Sequence, residues 1–160
     1  MMKDIYFSPL GEIILAAEGG AITGLWFKGQ KYECAGLGPR TENTQEDAAV
    51  LTLAAEWLDA YFEGKEPELN FSVMPRGTDF QKKVWAELMN IPYGNTASYG
   101  SVAQKLACRS ARAVGTAVGR NPVSIIIPCH RVLGAGGKLT GYAGGIERKL
   151  KLLELENKFT

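Results

Sequence analysis

The chain has very little histidine and cysteine. Its 160 residues contain one histidine, His130, and three cysteines, Cys34, Cys108 and Cys129. No Cys-x-x-Cys pair occurs, and these residues cannot be arranged into a tetrahedral zinc spacing. Neither a metal nor any other cofactor is expected. An odd cysteine count without a secretion signal suggests reduced thiols and a cytoplasmic setting. The N-terminus lacks a basic segment followed by an apolar one, so no signal peptide is expected. No run approaches the roughly 18–20 apolar residues needed for a membrane span. Hydrophobic residues make up 46% of the chain and charged residues 22%, an ordinary globular composition. The length suits one large domain or two small ones sharing an interface.

A net charge of +1 hides an uneven distribution. Residues 1–78 carry six Lys and Arg against twelve Asp and Glu, which is −6; residues 79–160 carry twelve against five, which is +7. The second half therefore has the sign of a polyanion-binding module. Two solvated faces that happen to differ would explain the split equally well.

Segments 4–8, 11–18 and 21–28 are short, rich in aliphatic and aromatic residues, and separated by Gly11 and Gly19-Gly20. This predicts a β-meander. Residues 29–43 read as loop. From Thr44 to Phe62 the apolar residues Ala48, Leu51, Ala55, Leu58 and Phe62 recur at helical spacing, and Gly64 follows as a stop. A strand is predicted at 69–73 and a linker at 74–78. Thr78 then caps a helix bearing Phe80, Val84, Trp85 and Leu88. Helices are predicted at 98–107 and 110–119, separated by Cys108-Arg109-Ser110, a spacing similar to a helix-turn-helix. The predicted fold is α+β, with a small N-terminal α/β domain over 1–77 and a mainly helical domain over 78–160.

The helix at 110–119 has Arg112, Gly115, Thr116 and Gly119 on its outer face. A glycine inside a helix costs about 1 kcal/mol relative to alanine, so this pattern suggests close approach to the backbone. A packed helix and a DNA groove satisfy it equally. Cys129 follows the apolar run 123–127, and His130 and Arg131 come next. These are groups able to lower a thiol pKa and to accept its proton. A lone Cys-His pair is nonetheless usually inert. In the last helix, roughly 146–157, Glu156 shares the face of Leu152 and Leu153. By itself, a glutamate so near a chain end is expected to be solvated.

The second half resembles the O6-alkylguanine-DNA alkyltransferase family, also called methylated-DNA–protein-cysteine methyltransferases. The resemblance runs from Thr78 to Glu156. It is carried by Asp79-Phe80-Gln81 with Val84-Trp85, Ile91-Pro92-Tyr93-Gly94, Ser98-Tyr99, Ala111-Arg112-Ala113-Val114-Gly115, Asn121-Pro122, Ile127-Pro128-Cys129-His130-Arg131-Val132 and Gly141-Tyr142-Ala143-Gly144-Gly145. The Pro-Cys-His-Arg-Val segment is close to diagnostic. The first half matches only loosely, as the smaller, ribonuclease H-like domain of such proteins. The second would be of winged-helix type.

The resemblance implies irreversible, stoichiometric repair of O6-alkylguanine in duplex DNA, and as a further expectation of O4-alkylthymine. The base is flipped out of the stack, and Cys129 takes the alkyl group in one displacement. His130 would act as base through water, Glu156 would orient it, and Tyr99 would rotate the phosphate and protonate guanine N3. Arg112 would fill the gap left by the base. Ala113, Gly115, Thr116, Asn121 and Arg131 complete the implied DNA-binding set, with Asn121 also bracing the turn after the recognition helix. Val118, Ser124, Val132, Tyr142 and Ala143 would shape the base pocket. Some members have Ser at the position of Ala143 and Pro at that of Ser124, and zinc ligands found in some N-terminal domains are missing. The implied partner is double-stranded DNA, bound through the minor groove by a monomer. The competing readings are a non-catalytic lesion sensor, a Cys-His hydrolase and a helix-turn-helix regulator. Relatives that only sense lesions replace the cysteine, often with Trp, and no oxyanion-hole motif supports a hydrolase.

Overall fold

The computed structural model describes residues 1–37 and 43–158; part of the loop predicted over 29–43 lies outside them. Strands β1 (Met2–Ser8), β2 (Gly11–Glu18) and β3 (Ala21–Phe27) form an antiparallel sheet in the order β1-β2-β3. The register pairs Ile5 with Ile14 and Leu15 with Leu25, and it shifts at Ala16/Ala17, where Thr23 is the extra residue opposite. Gly24 lies in this bulge because a Cβ there would sit 2.0 Å from the Trp26 ring.

Helix α1 (Gln45–Phe62) packs on the sheet, and the Thr44 hydroxyl at its N-cap accepts from Asp47 N–H. Its buried face is Asp47, Val50, Leu51, Ala54, Leu58 and Tyr61. The predicted stripe shared only Leu51 and Leu58 with it. The helix is turned by about one residue, so that Tyr61 points inward and Phe62 is only half-buried. A buried hydrogen bond favours this setting, because the Asp47 carboxylate accepts from Gly20 N–H at 2.8 Å in the β2–β3 turn. The strand predicted at 69–73 does not form. One bridge remains, with Ile22 donating to Ser72 O and accepting from Met74 N–H beside Val73.

The remaining helices are α2 (Asp79–Leu88), α3 (Tyr99–Lys105), α4 (Ala111–Gly119) and α5 (Ile146–Lys158). Thr78 and Gln81 form a capping box at α2, and Ser98 and Ser101 form another at α3. Trp85 Nε1 donates to Ala117 O at 2.9 Å, tying α2 to α4. A two-residue parallel pair, β4 (Ala97–Ser98) with β5 (Val132–Leu133), joins the start of α3 to the segment after Cys129.

The two halves share one core. Ile13, Leu25, Phe27 and Leu58 belong to the same buried cluster as Val84, Trp85, Val114 and Leu152. Backbone crosses the seam as well, since Leu25 N–H donates to Pro122 O and Ser124 N–H to Leu25 O. A shared core predicts one unfolding transition. Leu58→Ala, which opens a cavity in the first half, should cost about 2–5 kcal/mol and move that whole transition in calorimetry. Two separately shifting transitions would contradict it.

Candidate functional site

The segment from Asn121 to His130 is buried throughout. It is a compact loop held by its own hydrogen bonds. Asn121 Nδ2 donates to Ile127 O at 2.8 Å, and Asn121 Oδ1 accepts from Val123 N–H at 2.9 Å. Ile125 is β-branched yet has φ 70°, and a left-handed setting of this kind costs on the order of 1–3 kcal/mol. Such strain persists only where surrounding structure imposes it. Here it turns the chain so that a short 3-10 turn, Cys129–Arg131, sits against α5.

His130 and Glu156 face each other across that contact, 0% and 1% exposed at their side chains. The Glu156 carboxylate is fully occupied. Oε2 lies 2.5 Å from His130 Nε2 and accepts from the Tyr61 hydroxyl at 2.6 Å and from an Arg131 Nη2–H at 3.2 Å. Oε1 accepts from Arg131 Nε–H at 2.7 Å and from Gly94 N–H at 3.2 Å. Gly94 has φ 80°, which turns its N–H toward the carboxylate at little cost for glycine. Glu156 is thus a buried, satisfied anion rather than the solvated terminal residue its position suggested.

Burial alone would raise the pKa of this carboxyl. The hydrogen bond and charge of His130, with the bonds from Arg131 and Tyr61, outweigh burial and hold it at about 2. His130 is shifted below its ordinary value, chiefly by burial, despite the adjacent carboxylate. The pair therefore rests as neutral imidazole and carboxylate, with Nε2–H donating to Glu156. The other ring nitrogen, Nδ1, is buried and has no hydrogen-bond partner among the described residues. It is the one ring atom left able to accept a proton.

Cys129 is 6% exposed, and burial pushes its thiol pKa up, partly offset by the Asn121 side chain and the charge of Lys149. This corrects the expectation that the neighbouring His130 and Arg131 lower the thiol pKa. His130 is neutral, and the Arg131 guanidinium is turned onto Glu156 and onto Ile91 O at 2.6 Å. The same geometry corrects the placement of Arg131 among DNA-contacting residues. Its side chain is 11% exposed and committed to interior partners.

Between α4 and the 140–143 segment lies a cleft of about 540 Å³, lined among others by Tyr99, Gly115, Thr116, Gly119, Tyr142 and Ala143. A second, of about 660 Å³, adjoins it at Tyr99, Gly115 and Thr116 and runs past Ser98 and Arg112. Tyr99 and Tyr142 both lie within electrostatic reach of Cys129. Arg112 and Thr116 are exposed on α4, and Ala113 is half-buried. Neither helix glycine is required by the protein's own packing: a Cβ on Gly115 would meet Tyr99 at an ordinary 3.6 Å, and one on Gly119 would meet nothing. The bare face is left for something outside the chain. Ser124 and Val132 are fully buried behind the cleft. Val118 is buried in the cluster that also holds Val114, Ala117, Cys129 and Val132.

Three participants were not read from the sequence. Tyr61 and the Gly94 N–H complete the Glu156 site. Lys149 is 0% exposed and donates to Val132 O at 2.6 Å, Thr140 O at 2.8 Å and Gly141 O at 3.5 Å, pinning the ends of the segment that borders the cleft. Its place on the same face as Leu152, Leu153 and Glu156 is the signal that could have marked it. Among the described residues there is no group of His, Cys, Asp and Glu able to hold a metal. No helix among them is long and apolar enough to cross a membrane.

A buried cysteine beside a histidine–carboxylate pair, reached past a helix-turn-helix with a bare recognition helix, defines a class: proteins that carry nucleophile chemistry behind a DNA-binding element. The comparisons make this specific. Residues 79–158 match the 6-O-methylguanine DNA methyltransferase DNA-binding domain, and residues 1–75 match the ribonuclease-like domain of the same methyltransferases. The chain belongs to the 6-O-methylguanine DNA methyltransferase family. It is 49% identical over 150 residues to the methylated-DNA–protein-cysteine methyltransferase of Mycobacterium tuberculosis, covering 93% of this chain and 88% of that one. It is 45% identical over 161 residues to the protein of the same name from Methanosarcina barkeri, covering 98% and 97%. A crystal structure of Mycobacterium tuberculosis OGT in complex with DNA superposes with a TM-score of 0.83 at 44% identity, covering 98% of this chain and 92% of that one.

The electrostatics give a stability test. A carboxyl held below its ordinary range stabilises the fold above that range, and the contribution is lost as pH falls toward 2. A histidine held below its ordinary value acts in the same direction, beginning at higher pH. The thermal midpoint should therefore fall progressively on acidification from neutral pH. Glu156→Gln leaves Arg131 without its counter-charge, so it should cost about 3 kcal/mol at neutral pH and flatten the acid limb. A loss with an unchanged acid limb in pH-dependent melting would contradict the ionised state assigned here.

Proposed function

We propose that this chain repairs O6-alkylguanine in duplex DNA, and O4-alkylthymine as a further substrate, by moving the alkyl group onto Cys129. The observation that carries the reading is the closed thiol: a cysteine buried against a neutral histidine whose free Nδ1 can take its proton, with Tyr99 and Tyr142 leading out to a cleft under a bare helix. An alkylated base within a duplex hides its reactive carbon, so it must be extruded before such a thiol can reach it. The residues divide into an N-terminal domain over 1–77 and a C-terminal domain over 78–160 that carries both DNA binding and chemistry.

The roles follow from position. α4 lies in the minor groove with Gly115 and Gly119 toward its floor, Ala113 and Thr116 beside them, and Arg112 filling the stack where the base left. Asn121 holds the turn after α4 to the active-site loop. Tyr142 and Ala143 border the base, with Ser124 and Val132 behind them. As the base seats, the Cys129 proton passes by way of a water to His130 Nδ1, and Glu156 stabilises the imidazolium through Nε2–H. Sγ attacks the alkyl carbon, and the carbon–O6 bond breaks with its electrons passing to guanine, which takes a proton at N3 from Tyr99. The products are S-alkylcysteine and guanine. A thioether is a poor leaving group, so each molecule acts once. A DNA-repair activity fits a cytoplasmic protein.

Intact mass after mixing with duplex containing O6-methylguanine should show one methyl group, about +14 Da, on Cys129, consistent with single use of a covalent nucleophile. Cys129→Ala should abolish this while keeping DNA binding, and retained transfer would sink the assignment. A turned-over ester would instead indicate a hydrolase, and binding without a mass change a sensor or regulator. Arg112→Ala should slow transfer from duplex DNA at least tenfold more than transfer from free O6-benzylguanine, since an inserted side chain matters only where a stack exists. Equal losses on the two substrates would remove Arg112 from base extrusion.

A further inference from the structure

Tyr61 belongs to the N-terminal half, far in sequence from the reacting cysteine. Its ring is fixed by stacking on Trp57, with centroids 5.4 Å apart, and by edge contacts with Phe62 and Tyr93. That packing aims its hydroxyl at Glu156 Oε2, 2.6 Å away, leaving it 3.5 Å from His130 Nε2. Oε2 is the oxygen that also takes the histidine's Nε2–H.

We propose that Tyr61 is a positioning residue of the transfer reaction, whose hydroxyl shares Glu156 Oε2 with His130 and so limits how strongly the carboxylate draws a proton onto the imidazole. The role rests on the transfer reaction proposed above. A carboxylate facing the histidine alone would favour imidazolium, which cannot accept the thiol proton. A second donor on the same oxygen spreads the anionic charge and leaves the ring neutral. Once the thiol proton arrives, the same carboxylate still stabilises the cation.

The other groups facing the pair support this division. Arg131 and Lys149 are cations that disfavour imidazolium, and the half-buried Tyr142 and Tyr93 are neutral phenols with raised pKa values. Tyr61 itself is shifted well above the ordinary phenol value, first by burial and then by the Glu156 charge. It therefore stays a neutral donor across the working pH range.

The single histidine makes the test direct, because every imidazole signal of this 160-residue chain belongs to His130. Tyr61→Phe removes one oxygen and keeps the ring packing. Imidazole 15N shifts followed against pH should show an Nε2–H tautomer in the wild type. In Tyr61→Phe the midpoint should move up by about half a unit to one unit, the scale of a lost hydrogen bond to a charged group. Single-turnover methyl transfer by the variant should then fall about three- to tenfold about one pH unit below the wild-type imidazole midpoint yet stay within about twofold at about pH 8. An unmoved midpoint, or a loss equal at both pH values, would reduce Tyr61 to a packing residue. A wild-type Nδ1–H tautomer would overturn the proposal without any substitution. Absence of transfer in the wild type would instead overturn the reaction assigned to Cys129, while the imidazole titration would still report on Tyr61.

Discussion

A carboxylate removed from water has to be met by donors, and Glu156 is met by donors from three separate parts of the chain. The Tyr61 hydroxyl comes from α1, the Gly94 N–H from the turn before β4, and His130 and Arg131 from the active-site turn; the carboxylate itself sits on α5. Losing one partner of a buried pair typically costs about 3–5 kcal/mol, because the remaining charge is stranded. The rotation of α1, the left-handed Gly94, the inward turn of Arg131 and the burial of the last helical turn are therefore one requirement seen from four sides. The histidine is oriented by an anion whose own position is set by the whole fold.

The second constraint is the exposed face of α4. Helices usually cover their surface with long side chains, yet here Gly115 and Gly119 leave backbone accessible beside Arg112 and Thr116. The core side of the helix bears the cost, through Val114, Ala117 and Val118 and through the Trp85 bond to Ala117 O. Asn121, at the end of α4, ties that helix to Ile127 O two residues before Cys129. Under the proposed function, DNA binding and chemistry therefore lie on one hydrogen-bonded path from α4 to the thiol.

Much of this was legible in the sequence, and the failures share a cause. The meander, the capped helices and the Cys129–His130 segment were readable because local pattern decides them: turn glycines, Thr and Ser caps, and an apolar run. The face of α1 was misjudged because its apolar residues nearly encircle the helix, and the choice fell to the Asp47–Gly20 bond across 27 residues. Tyr61 was hidden by that same rotation. Arg131 looked like a phosphate contact because a cation beside a nucleophile on a basic half suggests one. Only the partner 25 residues away shows its charge to be spent inside. The 69–73 segment failed for the same reason, since a strand's partner is not written in its own residues.

The resting state explains why a reactive cysteine can coexist with cellular electrophiles. A thiolate poised by adjacent cations would react with any small alkylating agent that reached it. Here burial keeps the thiol protonated, His130 is neutral, and the nearest guanidinium is committed to Glu156. Under the proposed reaction, reactivity is created by the substrate, which brings the alkyl carbon to sulfur and makes proton transfer to Nδ1 worthwhile. Burial raises the thiol pKa in the free protein, so under that reaction the closed site itself would favour damaged DNA over small electrophiles. A site that consumes the protein at each event has reason to be built this way, because every misdirected alkylation removes a molecule from service.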